Sequence, residues 1–396
     1  MKILLITRYF PPLEGIATLR MRAFAERWAD CGHKVTVLTT SKAVEGDYAY
    51  PGIEVHPVSY FDPITFIGGE QPSSGSGNSY LKRLYRTRLN ERMPHRTDFW
   101  TSQAKKALAR FDGFDLIVSS YGPYTPHLVA LEAKRRFNCA WVADFRDLWC
   151  ENHTYRGIWP FTLLEKRLEK KVCSQADIIT TVSEGLKRRL QKSYPTARID
   201  VVPNGFNPSV FPRAVEKPSR PFHFLYTGTV FEKGHDIAAF LEGVERSGGS
   251  FHVEFIGTVS SKFTQSSRVS YSGRIPYAEA LSEQMKADAL VLLDYRLEGY
   301  EGLLSGKVYE YLYTGKPILA VGVKAESELG MLLTKSGGAV LCGYSPDEIC
   351  KGLEKVMRGE IPPQNRDEVL RFSRASQADA IISLAANCSQ RAMSDS

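Results

Sequence analysis

The chain opens on a short apolar run at residues 2–7, the signature of a strand buried on both faces. A loop follows, Arg8-Tyr-Phe-Pro-Pro-Leu-Glu-Gly15. Ala17, Met21, Phe24, Ala25 and Trp28 then recur at helical spacing, with Thr18 as the expected start cap and Gly32 as the stop. A second apolar run covers 34–40. Strand, helix, strand in this order is a βαβ unit and predicts parallel pairing. The alternation continues with strands at 115–118, 140–143, 177–182 and 199–202. A loop is expected over 119–125, a helix over 126–137, a helix start at Ser183-Glu-Gly-Leu, and a turn at Pro203-Asn-Gly205.

Residues 206–221 are rich in Pro and charge and carry no periodicity, which reads as a linker. A second α/β set follows, with strands at 222–226, 252–256, 269–272, 290–294 and 317–321 and helices between them. Residues 367–388 have helical spacing, with Leu370, Ala378, Ile381, Ile382, Leu384 and Ala385 available to pack. The expected class is therefore α/β: two Rossmann-like doubly wound domains facing an interdomain cleft. The domains span 1–205 and 222–370, and 371–396 forms a C-terminal helix that packs back on the N-terminal domain.

A length of 396 residues agrees with two domains. Hydrophobic residues at 43% and charged residues at 24% exclude gross disorder. No apolar run approaches the ~20 residues of a membrane-spanning helix, and the N-terminal run is too short for a signal peptide. Seven cysteines, an odd number with no C-x-x-C, argue for reduced thiols in a cytosolic protein.

The net charge of +7 is uneven. Residues 1–205 hold 30 Lys and Arg against 21 Asp and Glu, and the remainder 21 against 23. A basic first half suggests an anionic partner: nucleic acid, a membrane surface or a phosphorylated substrate. Residues 68–79 are nearly all Gly, Ser and small polar groups, a flexible loop. Residues 80–110 then hold Lys82, Arg83, Arg86, Arg88, Arg92, Arg96, Lys105, Lys106 and Arg110, interleaved with Tyr80, Leu81, Leu84, Tyr85 and Leu89. Such a stretch suits an anionic membrane interface, or a solvated helix packing its stripe on its own sheet. No groove-reading motif appears, so nucleic acid is not the expected partner.

In open α/β sheets, ligands bind beyond the carboxyl ends of the strands. Gly15 lies between the first strand and first helix, where its backbone can approach an anion, although no G-x-G-x-x-G occurs. Tyr226-Thr-Gly228-Thr229 ends the first strand of the second domain, and Lys233 follows, placed to neutralise a phosphate. Ser305-Gly306-Lys307 opens a helix whose free N–H groups suit diphosphate oxygens, with Glu310 on the same face for the hydroxyls of a ribose. Asp144, Arg146 and Asp147 crowd a strand-end loop and suit a hydroxyl-rich ligand or a phosphate, and His127 starts a helix that could face the cleft. No Asp-x-Asp, metal-ligand spacing or G-x-S-x-G elbow is present, so neither a metal nor a serine hydrolase is expected.

The ordered set Tyr9-Phe-Pro-Pro12 with Gly15, Gly32-His33, Asp144-Phe-Arg-Asp-Leu-Trp149, Ala176-Asp177, Val182-Ser-Glu184, Pro203-Asn-Gly205, Gly228, Lys233-Gly234, Gly257, Gly273-Arg-Ile-Pro276 and 307–317 resembles family 4 retaining glycosyltransferases of the GT-B fold. The D-x-R-D-x-W form resembles the subgroup that builds bacterial polysaccharides. The resemblance implies metal-independent, retaining transfer of a sugar, of hexosyltransferase type, with no cofactor. The donor would be a nucleotide sugar, UDP first and GDP next, and the acceptor a lipid-linked or growing glycan. It implies Lys233 and Asp147 as catalytic residues, Gly15 at the diphosphate, Glu310 at the ribose, and Arg274 and Ile275 framing the base. Gly228, Thr229, Ser305, Gly306 and Lys307 would complete the donor site. Asp144, Arg146 and His127 are the acceptor-side candidates. Two positions depart from the family: Thr229 stands near where an Arg is usual, and Gly302 where a Glu is usual. The other readings are an epimerase or hydrolase on the same fold, and an inactive nucleotide-sugar-binding subunit. The resemblance places the protein in the cytoplasm or peripherally on the inner face of the cell membrane.

Overall fold

A computed structural model describes residues 1–13, 15–40, 48–62, 92–152, 157–212, 221–231, 234–259, 263–295 and 302–394. The chain divides into two compact units, residues 1–203 with 374–396, and residues 204–373.

The first unit is built on a parallel sheet of β1 (Lys2–Ile6), β2 (Lys34–Thr40), β3 (Ile53–Val58), β4 (Leu116–Ser120), β5 (Ala140–Phe145), β6 (Ile178–Thr181) and β7 (Ile199–Val201), in the order β3-β2-β1-β4-β5-β6-β7. Its helices are α1 (Ile16–Asp30), α2 (Asp98–Ala107), α3 (Thr125–Phe137), α4 (Phe161–Gln175) and α5 (Glu184–Ser193). Consecutive β1 residues such as Leu4 and Leu5 are both fully buried, as a strand between two layers of helix requires. The strand order reverses between β1 and β4. The crevice beyond those two strand ends is where such sheets bind ligands.

The second unit repeats the plan with β8 (Phe222–Thr229), β9 (Phe251–Thr258), β10 (Val269–Gly273), β11 (Ala289–Leu293), β12 (Ile318–Val321) and β13 (Ala339–Cys342), in the order β10-β9-β8-β11-β12-β13. Its helices are α6 (Ile237–Arg246), α7 (Tyr277–Lys286), α8 (Lys307–Thr314), α9 (Glu328–Ser336), α10 (Pro346–Met357) and α11 (Arg366–Leu370). The switch point lies between β8 and β11. The last helix, α12 (Arg374–Ser394), belongs to the first unit: Asp379 accepts two bonds from Arg27, and the Ala378 carbonyl accepts one from Trp28 Nε1.

Several local expectations change. Helix α1 begins at Ile16, with Gly15 at its cap and Thr18 buried inside the helix rather than capping it. Strand β3 carries Pro57, which argues against a central strand, and it sits at the sheet edge where a proline is tolerated. Residues 206–212, expected as linker, belong to the second unit: Phe206 and Phe211 are buried in its core beside Tyr311 and Leu312. The stretch 367–388 is two helices, broken where Phe206 N–H donates to the Phe372 carbonyl and Phe206 pairs with Ser373. Residues 68–79 and 80–91 lie outside the described residues.

Candidate functional site

In the second unit, β8 and α8 meet at one spot. Lys307 Nζ donates to Tyr226 Oη at 2.8 Å and lies 4.1 Å from the centre of that ring. The Tyr226 hydroxyl in turn donates to the Thr229 carbonyl at 2.8 Å. One turn on, Tyr311 Oη accepts from the Thr227 N–H at 2.8 Å. Residues i and i+4 share a helix face, so these two contacts lock the first turn of α8 onto the end of β8. No side chain caps the N-terminus of α8, which lies beside this contact.

The glycines there have separate reasons. Gly228 has φ +124°, and a Cβ on it would stand 2.8 Å from Lys307 Nζ. Its neighbour Gly257, at φ +139°, leaves no room for a Cβ against the Gly228 carbonyl. Burial pushes the Lys307 ammonium down to about 7, with the Glu310 carboxylate acting in the opposite direction. Glu310 is buried, and Tyr277 Oη donates to its Oε1 at 2.6 Å. Arg274 is exposed and donates to Thr258 Oγ1 at 2.8 Å, while Ile275 is half-buried against the core. Ser305 and Gly306 immediately precede α8. The structure thus brings together Gly228, Thr229, Ser305, Gly306 and Lys307 at one place, with Glu310 one turn further along α8. Lys233 lies outside the described residues.

His235 belongs to this end of the sheet and escapes a reading of the sequence. Its Nδ1 accepts from the Phe231 backbone N–H at 3.1 Å, so Nε2 must carry the proton. Burial and the nearby Lys307 charge lower the ring to about 4, which keeps it a neutral donor. Its only sequence signal is its place just before Asp236, whose carboxylate caps α6.

In the first unit, Gly15 is exposed at φ +138°, with open space where a Cβ would stand. Arg146 donates through Nε and Nη2 to the Tyr121 carbonyl at 3.1 and 2.7 Å, and its guanidinium lies 5.9 Å from the Tyr9 ring centre. Asp147 is exposed.

Two acceptor candidates are placed differently from expectation. Asp144 is not on a loop: β5 runs on to Phe145, and the Asp144 carboxylate is fully buried. It accepts from Arg20 Nη2 at 3.1 Å, Arg20 Nε at 3.3 Å and Thr180 Oγ1 at 3.0 Å. Arg20 also donates to the carbonyls of Pro203 and Val202. His127 is fully buried as well, with its ring 4.6 Å from that of Phe145 and its Nδ1 2.7 Å from Ser119 Oγ. Burial lowers it to about 3. Neither side chain reaches solvent.

Part of the basic stretch is also accounted for internally. Arg92 pairs with buried Glu165 at 2.8 Å, and Arg96 pairs with Asp62. Among the described residues, no cluster of His, Cys, Asp and Glu has the form of a metal site, and no helix is long and apolar enough to cross a membrane.

Comparison with known proteins gives this geometry a context. Residues 17–210 match the family model described as Glycosyltransferase Family 4. No curated protein matches the sequence. Among solved structures, the chain is similar to a sucrose-phosphate synthase from Thermosynechococcus elongatus at 13% identity, covering 100% of both chains with a TM-score of 0.66. It is similar to HepE of Anabaena in complex with UDP at 13% identity, over 100% of this chain and 99% of that one, with a TM-score of 0.57. It is also similar to the apo form of the lipopolysaccharide outer core galactosyltransferase WaaB, at 17% identity over 97% and 99%, with a TM-score of 0.55. The fold is therefore the expected one, two Rossmann-like parallel-sheet domains of GT-B type.

Proposed function

We propose that the protein is a glycosyltransferase that moves a sugar, with retained anomeric configuration, from a nucleoside-diphosphate sugar to a hydroxyl of a lipid-linked or growing glycan. The observation that carries this reading is the junction of β8 and α8, where the half-buried Lys307 ammonium and the uncapped N-terminus of α8 meet β8 beside Gly228. That combination suits a diphosphate. The family match over residues 17–210, and the UDP in the complex of the similar Anabaena protein, support the same reading and favour UDP over GDP.

In this reading the second unit holds the donor. Lys307, the N–H groups around Ser305 and Gly306, and Lys233 bind the diphosphate beside Gly228 and Thr229. Glu310, held by Tyr277, accepts from the ribose, and Arg274 and Ile275 frame the base. The first unit serves the acceptor, with half-buried Arg146, exposed Asp147 and the exposed Gly15 backbone as its candidate contacts. The bond from the anomeric carbon to the diphosphate oxygen breaks while the acceptor oxygen bonds to the same face. The departing diphosphate oxygen takes the acceptor proton, so no protein nucleophile and no metal take part. Charge accumulates on the diphosphate, and removing one donor that stabilises it costs ~10²–10³ in rate.

The test is a thermal-shift panel of UDP, GDP, ADP, dTDP and CMP, with and without magnesium. A nucleotide at 100 times its dissociation constant adds ~2.7 kcal/mol, a rise of several degrees. A shift with one nucleoside diphosphate, unchanged by magnesium, supports the proposal. No shift with any of them overturns it.

A further inference from the structure

Helix α4 buries Val172 and Cys173 as a surface helix should, but the rest of it departs from that pattern. Its two acids, Glu165 and Glu169, are buried, the first against Arg92 and Trp149 and the second against the Cys150 backbone. Its outward face carries Lys166, Arg167, Lys170 and Lys171 instead, all exposed. Where the chain enters the helix, four large apolar side chains face solvent: Trp159 at 78% exposure, Phe161 at 37%, Leu163 at 54% and Leu164 at 46%. A globular surface helix does the reverse, burying its apolar residues and presenting both signs of charge to water.

The two halves of this face demand different things. The cations have no acidic partner on the outward face of their own helix, and they lie within two turns of one another. The apolar group falls within residues 159–164, unlike the singly scattered exposed residues that need no explanation. A surface that satisfies both at once is anionic outside and hydrocarbon just beneath. An acidic protein would answer the cations but would leave a Trp, a Phe and two Leu to be covered by some separate apolar patch.

We infer that residues 159–171 form a membrane-docking surface, on which Trp159, Phe161, Leu163 and Leu164 enter the headgroup boundary of an anionic bilayer while the four cations lie on the lipid headgroups. The inference stands apart from the reaction and rests on other residues than the stretch 80–110, of which Arg92 and Arg96 form internal pairs. Tryptophan is suited to the interfacial position because its ring is apolar and its N–H polar. Each cation close to an anionic surface contributes about 1 kcal/mol, or roughly fivefold in partitioning.

The fold supplies its own probe. The other tryptophans, Trp28, Trp100, Trp141 and Trp149, are fully buried, so a change in tryptophan emission reports Trp159. The experiment adds the full-length protein to vesicles of phosphatidylcholine alone, and to the same vesicles containing phosphatidylglycerol, with brominated acyl chains in both. The expected result is a blue shift and quenching with the anionic vesicles, weakened by salt. Trp159→Phe should bind but remain silent. Lys170→Gln with Lys171→Gln should bind roughly thirtyfold less tightly with an unchanged melting temperature, because both side chains are exposed. Vesicles left unbound overturn the inference, and a protein partner would then be the occupant to seek. Binding without quenching, or binding indifferent to the lysine pair, also overturns it by assigning the contact to another surface.

Discussion

The Lys307 ammonium stands 2.8 Å from where a Cβ on Gly228 would lie, so the glycine makes room for the cation. Gly228→Ala meets two penalties: a φ of +124°, which costs about 1–3 kcal/mol in an L-residue, and displacement of the ammonium. Lys307→Met keeps the backbone and most of the side-chain volume and loses the charge with its hydrogen bond to Tyr226 Oη. Both variants should lower turnover by ~10²–10³, while urea denaturation should register the larger stability loss for Gly228→Ala. Gly228→Ala with wild-type turnover would show that Lys307 need not occupy this place.

Because burial holds Lys307 near 7, its charge depends on pH in the range where the protein would work. The sign follows from the ligand. A bound diphosphate favours the protonated form and raises the pKa, so binding takes up a proton when the pH lies above the free value. Nucleotide affinity should therefore be flat below about pH 7 and fall by about tenfold per unit above it, until the pKa of the complex is reached. Calorimetry in buffers of different ionisation heat measures that uptake directly. Lys307→Met should abolish both the slope and the uptake, and persistence of either would assign the proton to another group.

Much of this was legible in the sequence. Apolar runs alternating with 3.6-residue periodicity lead to two parallel sheets because strands covered on both faces need no polar alternation. Ser305-Gly306-Lys307 and Glu310 stand out because a glycine before a lysine at a helix start is a local feature. Arg20 does not, since its partner Asp144 is 124 positions away and an arginine on a helix usually faces water. The same applies to α4: Glu165 and Glu169 look like solvated charges until Arg92 is placed beside the first and the Cys150 backbone beside the second, and only then is the face left to solvent seen to be basic and apolar. Asp144 lies on a strand and not on a loop for a simpler reason: β5 continues through a polar residue because Arg20 pairs with it.

His127 separates structural from catalytic use of a histidine. Its ring lies among those of Tyr121 and Phe145, and its Nε2 is buried without a hydrogen-bond partner. Phenylalanine fills the same slot and removes that unpartnered nitrogen. Ser119, which loses the imidazole, retains its bond from Trp141 Nε1. His127→Phe should therefore change stability by no more than about 1 kcal/mol, with the nucleotide-induced thermal shift and turnover intact. A tenfold or greater loss of turnover in a variant that melts normally would return His127 to the reaction.

The Arg20–Asp144 pair makes the opposite prediction. Both side chains are almost wholly buried, and Arg20 ties α1 to the ends of β5 and β7 through one carboxylate and two carbonyls. Removing one member of a buried pair strands the other charge, so Arg20→Ala should lose about 3–5 kcal/mol in urea denaturation. Asp144→Asn keeps the shape and the bond from Thr180 but leaves Arg20 uncompensated, and should lose a comparable amount. Arg20→Met with Asp144→Leu removes both charges and should recover much of the loss, since it strands neither partner. If Asp144→Asn instead keeps native stability and abolishes transfer, the carboxylate is touching the acceptor after all, and the first unit must open far enough to expose it.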